Sequence, residues 1–108
     1  MKLVIAIVNK EDSSALVQKL NKAGMMSTKL STTGGFLRAG NVTLLIGTDD
    51  NRVDDVIAVI TDCCSKRTQI INSASVLNAE QYFTSLPVEV TVGGATVFVI
   101  DVEKFLKV

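Results

Sequence analysis

Two β-branched apolar runs, each followed by a helix-spaced apolar stripe, constrain the fold of this chain more than any other feature. Lys2–Val8 (KLVIAIV) is ended by polar residues and reads as a strand buried on both faces. Leu16, Val17 and Leu20 then fall at helical spacing, with Asp12 or Ser13 available as a cap and Gly24 placed to end the helix in the left-handed conformation. Met26–Ser31 reads as a second strand and Val42–Thr48 (VTLLIGT) as a third. Asp49-Asp50-Asn51 is a helix-start signal, and Val53, Val56, Ile57 and Ile60 occupy one helical face after it. An offset of 40 residues lays Leu16 on Val56, Val17 on Ile57 and Leu20 on Ile60. Two successive strand-helix-strand units in 108 residues predict an α+β fold, a ferredoxin-like βαββαβ sandwich with both helices on one sheet face.

The other sheet face then needs a cover. Thr68–Ile71 is the expected fourth strand, and Val88–Val92, Gly93-Gly94 and Ala95–Ile100 alternate around a turn dipeptide, which predicts an extra C-terminal β-hairpin extending the sheet. An uncovered face and open edges give such a chain a reason to oligomerise. Between these segments, Asn72–Pro87 is a long polar connection carrying the only proline and the only tyrosine, Tyr82, and reads as a functional or flexible loop. The whole of 1–108 is expected to form one domain.

Charge and side-chain inventory narrow the function. Eleven basic residues balance eleven acidic ones without a block of either sign, which argues against general nucleic-acid binding and against a polybasic membrane anchor. No apolar stretch approaches the roughly 20 residues a bilayer requires, and Met1–Val8 runs straight into polar NKED, so a cytoplasmic protein is expected. There is no histidine, the commonest general base and zinc ligand. Cys63 and Cys64 are adjacent, a spacing that disfavours a disulfide between them and suits a reduced thiol pair. No paired carboxylates or metal-ligand cluster stand out, so neither an enzyme nor a cofactor is expected.

The remaining feature is TTGGFLRAGN, Thr32–Asn41, with three glycines in ten residues between two strands. A tight hairpin needs only about two to five connecting residues, so this loop carries something besides the turn. Glycines let backbone N–H groups converge on an anion, Phe36 offers a stacking surface, Asn41 and Thr28 offer hydrogen bonds to a base edge, and Arg38 faces either phosphate or solvent. Neither the P-loop pattern nor GxGxxG is present. Elsewhere, Arg52 reads as a surface ion-pair partner of Asp49 and Asp50, Met25 and Met26 as strand packing or a soft apolar lid, and Lys66-Arg67 as a complement to the end of the second helix.

TTGGFLRAGN, the strand ending in Gly47, DDNRVDDVIAVI and PVEVTVGGATVFV together resemble the PII-like cyclic-di-AMP receptor family over nearly the whole chain. The resemblance implies a homotrimer, with the glycine segment forming the T-loop, at about 32–41, and a nucleotide second messenger bound at each cleft between subunits. Mapped by position, the family's ligand contacts fall on Thr28, Gly35, Phe36, Leu37, Asn41 and Gly47, with Phe98 nearby. It further implies signalling to a protein target, not identified by sequence, through the loops. The chain departs from the family where Gly24 and Met26 replace an asparagine and an arginine, in the segment after Ser75 (VLNAEQYFTSLPVEV), and at the C-terminus Phe105-Leu106-Lys107-Val108. These departures motivate the alternative of a divergent PII-like interaction module that binds a different nucleotide or none.

Overall fold

The computed structural model describes residues 1–30, 40–72 and 87–108. In chain order the elements are β1 (Lys2–Asn9), α1 (Lys10–Lys22), β2 (Thr28–Leu30), β3 (Asn41–Thr48), a 3₁₀ turn (Asp50–Arg52), α2 (Val53–Cys64), β4 (Arg67–Asn72), β5 (Pro87–Val92) and β6 (Ala95–Asp101). Most of the glycine-rich loop, and most of the 72–87 connection with Tyr82, lie outside the described residues.

α1 begins at Lys10, so the expected caps Asp12 and Ser13 fall inside the helix instead of before it. No side chain caps the helix; the carbonyl of Gly40 instead accepts the Lys10 N–H at 2.7 Å, satisfying one of the orphan donors of the first turn. Its C-terminus follows the expectation. Gly24 has φ +75°, its N–H donates to the Asn21 carbonyl at 3.0 Å, and the Met25 N–H reaches back to the Leu20 carbonyl at 2.8 Å, the pair of hydrogen bonds of a Schellman ending.

The main sheet has the order β2-β3-β1-β6, with every neighbouring pair antiparallel. β1 and β2 are therefore parallel with β3 between them, and β3 and β6 are parallel with β1 between them. α1 makes the first crossover, and α2 lies on the path of the second. This is a mixed α/β fold with antiparallel sheets and two helices, compatible with a ferredoxin-like sandwich. Val4, Ala6 and Val8 of β1 stand level with Ile46, Leu44 and Val42 of β3, and all six are buried against Leu16, Leu20, Val56, Ile60 and Cys64 of the helices.

Two strand assignments need correction. Thr68–Ile71 does form a strand, within β4, but it pairs with β5 in a separate two-stranded sheet, and β6 takes the fourth place beside β1. Consequently β5 and β6 are not a hairpin. Gly93 and Gly94, at φ +80° and +95°, form a corner at which the chain leaves one sheet for the other, and the Gly94 N–H bonds the carbonyl of Cys64 at the end of α2. Two consecutive residues at positive φ suit a hairpin turn and such a corner alike.

β1 is buried on one face only. Leu3, Ile5 and Ile7 are half-buried, and their cross-strand partners Leu45 on β3 and Phe98 and Ile100 on β6 share the face opposite the helices. Among the described residues this apolar face has no covering element.

Candidate functional site

The site residues expected from sequence divide according to what the fold does with them. Thr28, Asn41, Gly47 and Phe98 are described and all lie on the uncovered sheet face, whereas Gly35, Phe36 and Leu37 lie outside the described residues. Register sets their separations. Thr28, Leu45, Ile5 and Phe98 form one row across four strands, so Thr28 and Phe98 stand at opposite edges, roughly 14 Å apart at about 4.8 Å per strand. Asn41 and Gly47 stand at opposite ends of β3, about 20 Å apart along the strand.

Thr28 and Gly47 are brought together. Thr28 faces Leu45, so Gly47 is its diagonal neighbour two residues along, at about 7–8 Å. Both line a groove of about 330 Å³. Leu3, Leu45, Met26, Val102 and Phe105 supply apolar walls, and Ser27 and Thr28 supply hydroxyls. Gly47 is what leaves the groove open, because a Cβ built there would meet nothing within 4 Å.

A second groove, of about 290 Å³, adjoins this one and is lined by Gly24, Met26, Gly47, Thr48, Asp49 and Arg52 among others. Met1, Met26 and Gly47 belong to both. The combined cleft thus has an apolar end under the sheet face and a polar end beside the C-terminus of α1. Arg52 is not held in the expected ion pair with Asp49 or Asp50. Its Nη2 donates to the carbonyl of Ala23 at 3.0 Å, while Asp50 accepts from the amino group of Met1 at 2.8 Å. The two methionines separate: Met25 enters the core, and Met26 is 81% exposed on the rim of both grooves.

Asn41 belongs to a different groove, of about 280 Å³, with Asn9, Lys66, Gly94 and Thr96. Nearby, Arg67 donates to Asp12 Oδ1 at 2.7 Å and to the Ser65 carbonyl, the C-cap of α2, at 3.2 Å. The expected role at the helix end is therefore shared with an ion pair that ties the root of β4 to α1. Burial, aided by Cys63 and Asp12, pushes the Cys64 thiol up to about 12, so it stays protonated and unreactive at neutral pH. Among the described residues no three carboxylate or thiol side chains converge as a metal site, and no helix is long and apolar enough to cross a membrane.

Sequence reasoning missed Arg52, Val102 and Phe105 as groove residues. The post-strand apolar residues Phe105 and Leu106 were the available signal for the last of these, since exposed large apolar side chains beyond a final strand need a surface to lie on.

A family model described as cyclic-di-AMP receptor matches residues 1–108. Among solved structures, a functionally unknown protein from Pediococcus pentosaceus ATCC 25745 is similar, with 37% sequence identity, a TM-score of 0.80, and coverage of 99% of this chain and 96% of that one.

Proposed function

The chain belongs to the cyclic-di-AMP receptor family, and on that premise we propose that it is a PII-like cytoplasmic signalling protein that binds cyclic di-AMP at the clefts of a homotrimer and regulates a protein target through its loops. The observation that carries this reading is the cleft of Thr28 and Gly47, open at the edge of an uncovered apolar sheet face. Cyclic di-AMP has two adenines and two phosphates, so its site needs an apolar wall, hydrogen-bonding groups for a base edge, and donors for phosphate. Leu3, Leu45 and Phe105 offer the wall and Thr28 the hydroxyl. Within one chain Asn41 and Phe98 are too far from Thr28 to join it. A second copy laid against the open face brings a different edge to each cleft, which is how residues separated on one subunit come to serve one ligand. Ligand binding there then changes affinity for the target through the T-loop or the 72–87 loop.

One observation favours the alternative of a divergent module with another nucleotide or none. Met26 projects to the cleft rim with a thioether where the family has a cation, and Gly24 offers no side-chain amide. Loss of one charge-assisted hydrogen bond costs about 1.5–3 kcal/mol, or roughly ten- to a hundredfold in affinity.

Titration calorimetry with cyclic di-AMP, using cyclic di-GMP and ATP as controls, tests the main reading. Selective binding at one ligand per subunit, weakened by Asn41→Ala, is expected. Absence of heat together with an unchanged melting temperature at high ligand concentration would leave the divergent module as the better account. Gain of cyclic di-AMP affinity in Gly24→Asn/Met26→Arg would then identify those two positions as the cause.

A further inference from the structure

We propose that Arg52 is the phosphate-pairing cation of the cleft, an assignment that rests on the cyclic-dinucleotide reading above. Three features point to it. First, the groove of Thr28 and the groove of Arg52 share Met1, Met26 and Gly47 as walls and so adjoin, which lets a ligand with its base against Leu3, Leu45 and Phe105 extend its anionic part toward Arg52. Second, among the described residues Arg52 is the only arginine or lysine lining either groove. It takes part in none of the ion pairs among the described residues.

Third, the guanidinium is held in place before any ligand arrives. A guanidinium has five N–H donors in a planar fork, and among the described residues Arg52 uses one, on the Ala23 carbonyl at 3.0 Å. That bond anchors the side chain against the C-terminus of α1, where a cation is favoured by the helix dipole, and reduces the rotamer freedom lost when the remaining donors grip a phosphate. Asp49 lines the same groove and opposes an anion, so Arg52 must outweigh a nearby carboxylate. The second carboxylate of the turn, Asp50, is occupied by the Met1 amino group.

The experiment compares cyclic di-AMP affinity of the full chain with that of Arg52→Gln, Arg52→Lys, Asp49→Asn and the surface control Lys22→Gln, at low and high salt. Arg52→Gln is expected to bind about ten- to a hundredfold more weakly, with a flattened salt dependence, and Arg52→Lys to keep part of the affinity. Asp49→Asn is expected to bind more tightly, and it answers the same question should loss of the Ala23 bond unfold the glutamine variant. Lys22→Gln removes an equal charge outside both grooves and is expected to match the parent. Parent binding with Arg52→Gln within twofold of it, or with an unchanged salt dependence, would overturn the role of Arg52 and leave the receptor reading standing. A parent that does not bind cyclic di-AMP at all overturns the reading, and this assignment with it.

Discussion

Filling the cleft from its floor separates the site from the fold, and Gly47→Val is the substitution that does so. Gly47 lies near the end of β3 opposite Leu3, its φ is not in the left-handed region, and an added Cβ meets nothing within 4 Å. A strand glycine exposes more backbone freedom to be lost on folding than any other residue. Its replacement therefore stabilises by about 0.5–1 kcal/mol, with a further few tenths from contact with Leu3. For a domain of this size that raises the melting temperature of the ligand-free protein by roughly 2–8 °C. The same two methyl groups occupy the space shared by both grooves. Forcing a ligand past them costs about 1–3 kcal/mol, the range of an overpacked core, so affinity for cyclic di-AMP falls roughly five- to a hundredfold. Differential scanning fluorimetry and titration calorimetry on one preparation read both numbers, and light scattering checks that the assembly is unchanged. A valine variant that melts higher and still binds like the parent would show that the ligand does not use this cleft. A variant that melts lower by several degrees would show that Gly47 serves the backbone, which contradicts the steric reasoning.

Other perturbations test individual elements. Gly24→Ala should lose about 1–2 kcal/mol in chemical denaturation, because φ +75° is strained for any side chain while the space around it is empty; Gly24→Asn should lose less. Cys64 has its thiol pKa raised from 9.0 to about 12, so its contribution to stability is complete below pH 9 and declines as the pH rises from there toward 12. Urea midpoints should accordingly fall between pH 8 and pH 10 in the parent by more than in Cys64→Ala, and Cys64 should react with thiol reagents at pH 8 only after unfolding. Phe98→Asp places a charge on the uncovered face at a side chain that is 49% exposed in the single chain. If the proposed trimer forms through this face, light scattering should then report a smaller particle than the parent while circular dichroism stays unchanged; an assembly of unchanged size would remove this face from the interface.

The parts of the fold legible in the sequence were those fixed by local periodicity. β1, α1, β3 and α2 each carry their own apolar spacing, and the Gly24 ending depends on residues within one turn. What failed was partner choice over long separations. Ala95–Ile100 alternates as a strand must, yet alternation is the same whether the neighbour is β5, two residues upstream, or β1 at the far end of the chain. Val97, packed against the core, ties β6 to the sandwich, and a Gly-Gly corner at positive φ permits it. Asp12 looked like a cap because caps are local; its partner Arg67 lies 55 residues away. Arg52 was misread for the same reason, since its acceptor Ala23 lies 29 residues upstream and nothing near either residue announces it.

The site was legible only as positions, and the open sheet face explains why. Thr28 and Gly47 meet through β2–β3 pairing, which one chain supplies. Asn41 and Phe98 share their face but stand at another end and another edge, so no folding of this chain alone unites the four. The same face leaves Leu3, Ile5, Ile7, Leu45 and Ile100 partly or largely unburied, and complete burial of each such side chain is worth about 1.5–3 kcal/mol. Covering that face and completing the cleft are then one event on the proposed reading. A ligand held between copies must stabilise the assembly by as much as the assembly strengthens its binding, because the two equilibria share a single coupling free energy. The prediction from that linkage is a melting temperature that rises with protein concentration, and with cyclic di-AMP at fixed protein concentration. A monomeric receptor would show the second dependence without the first.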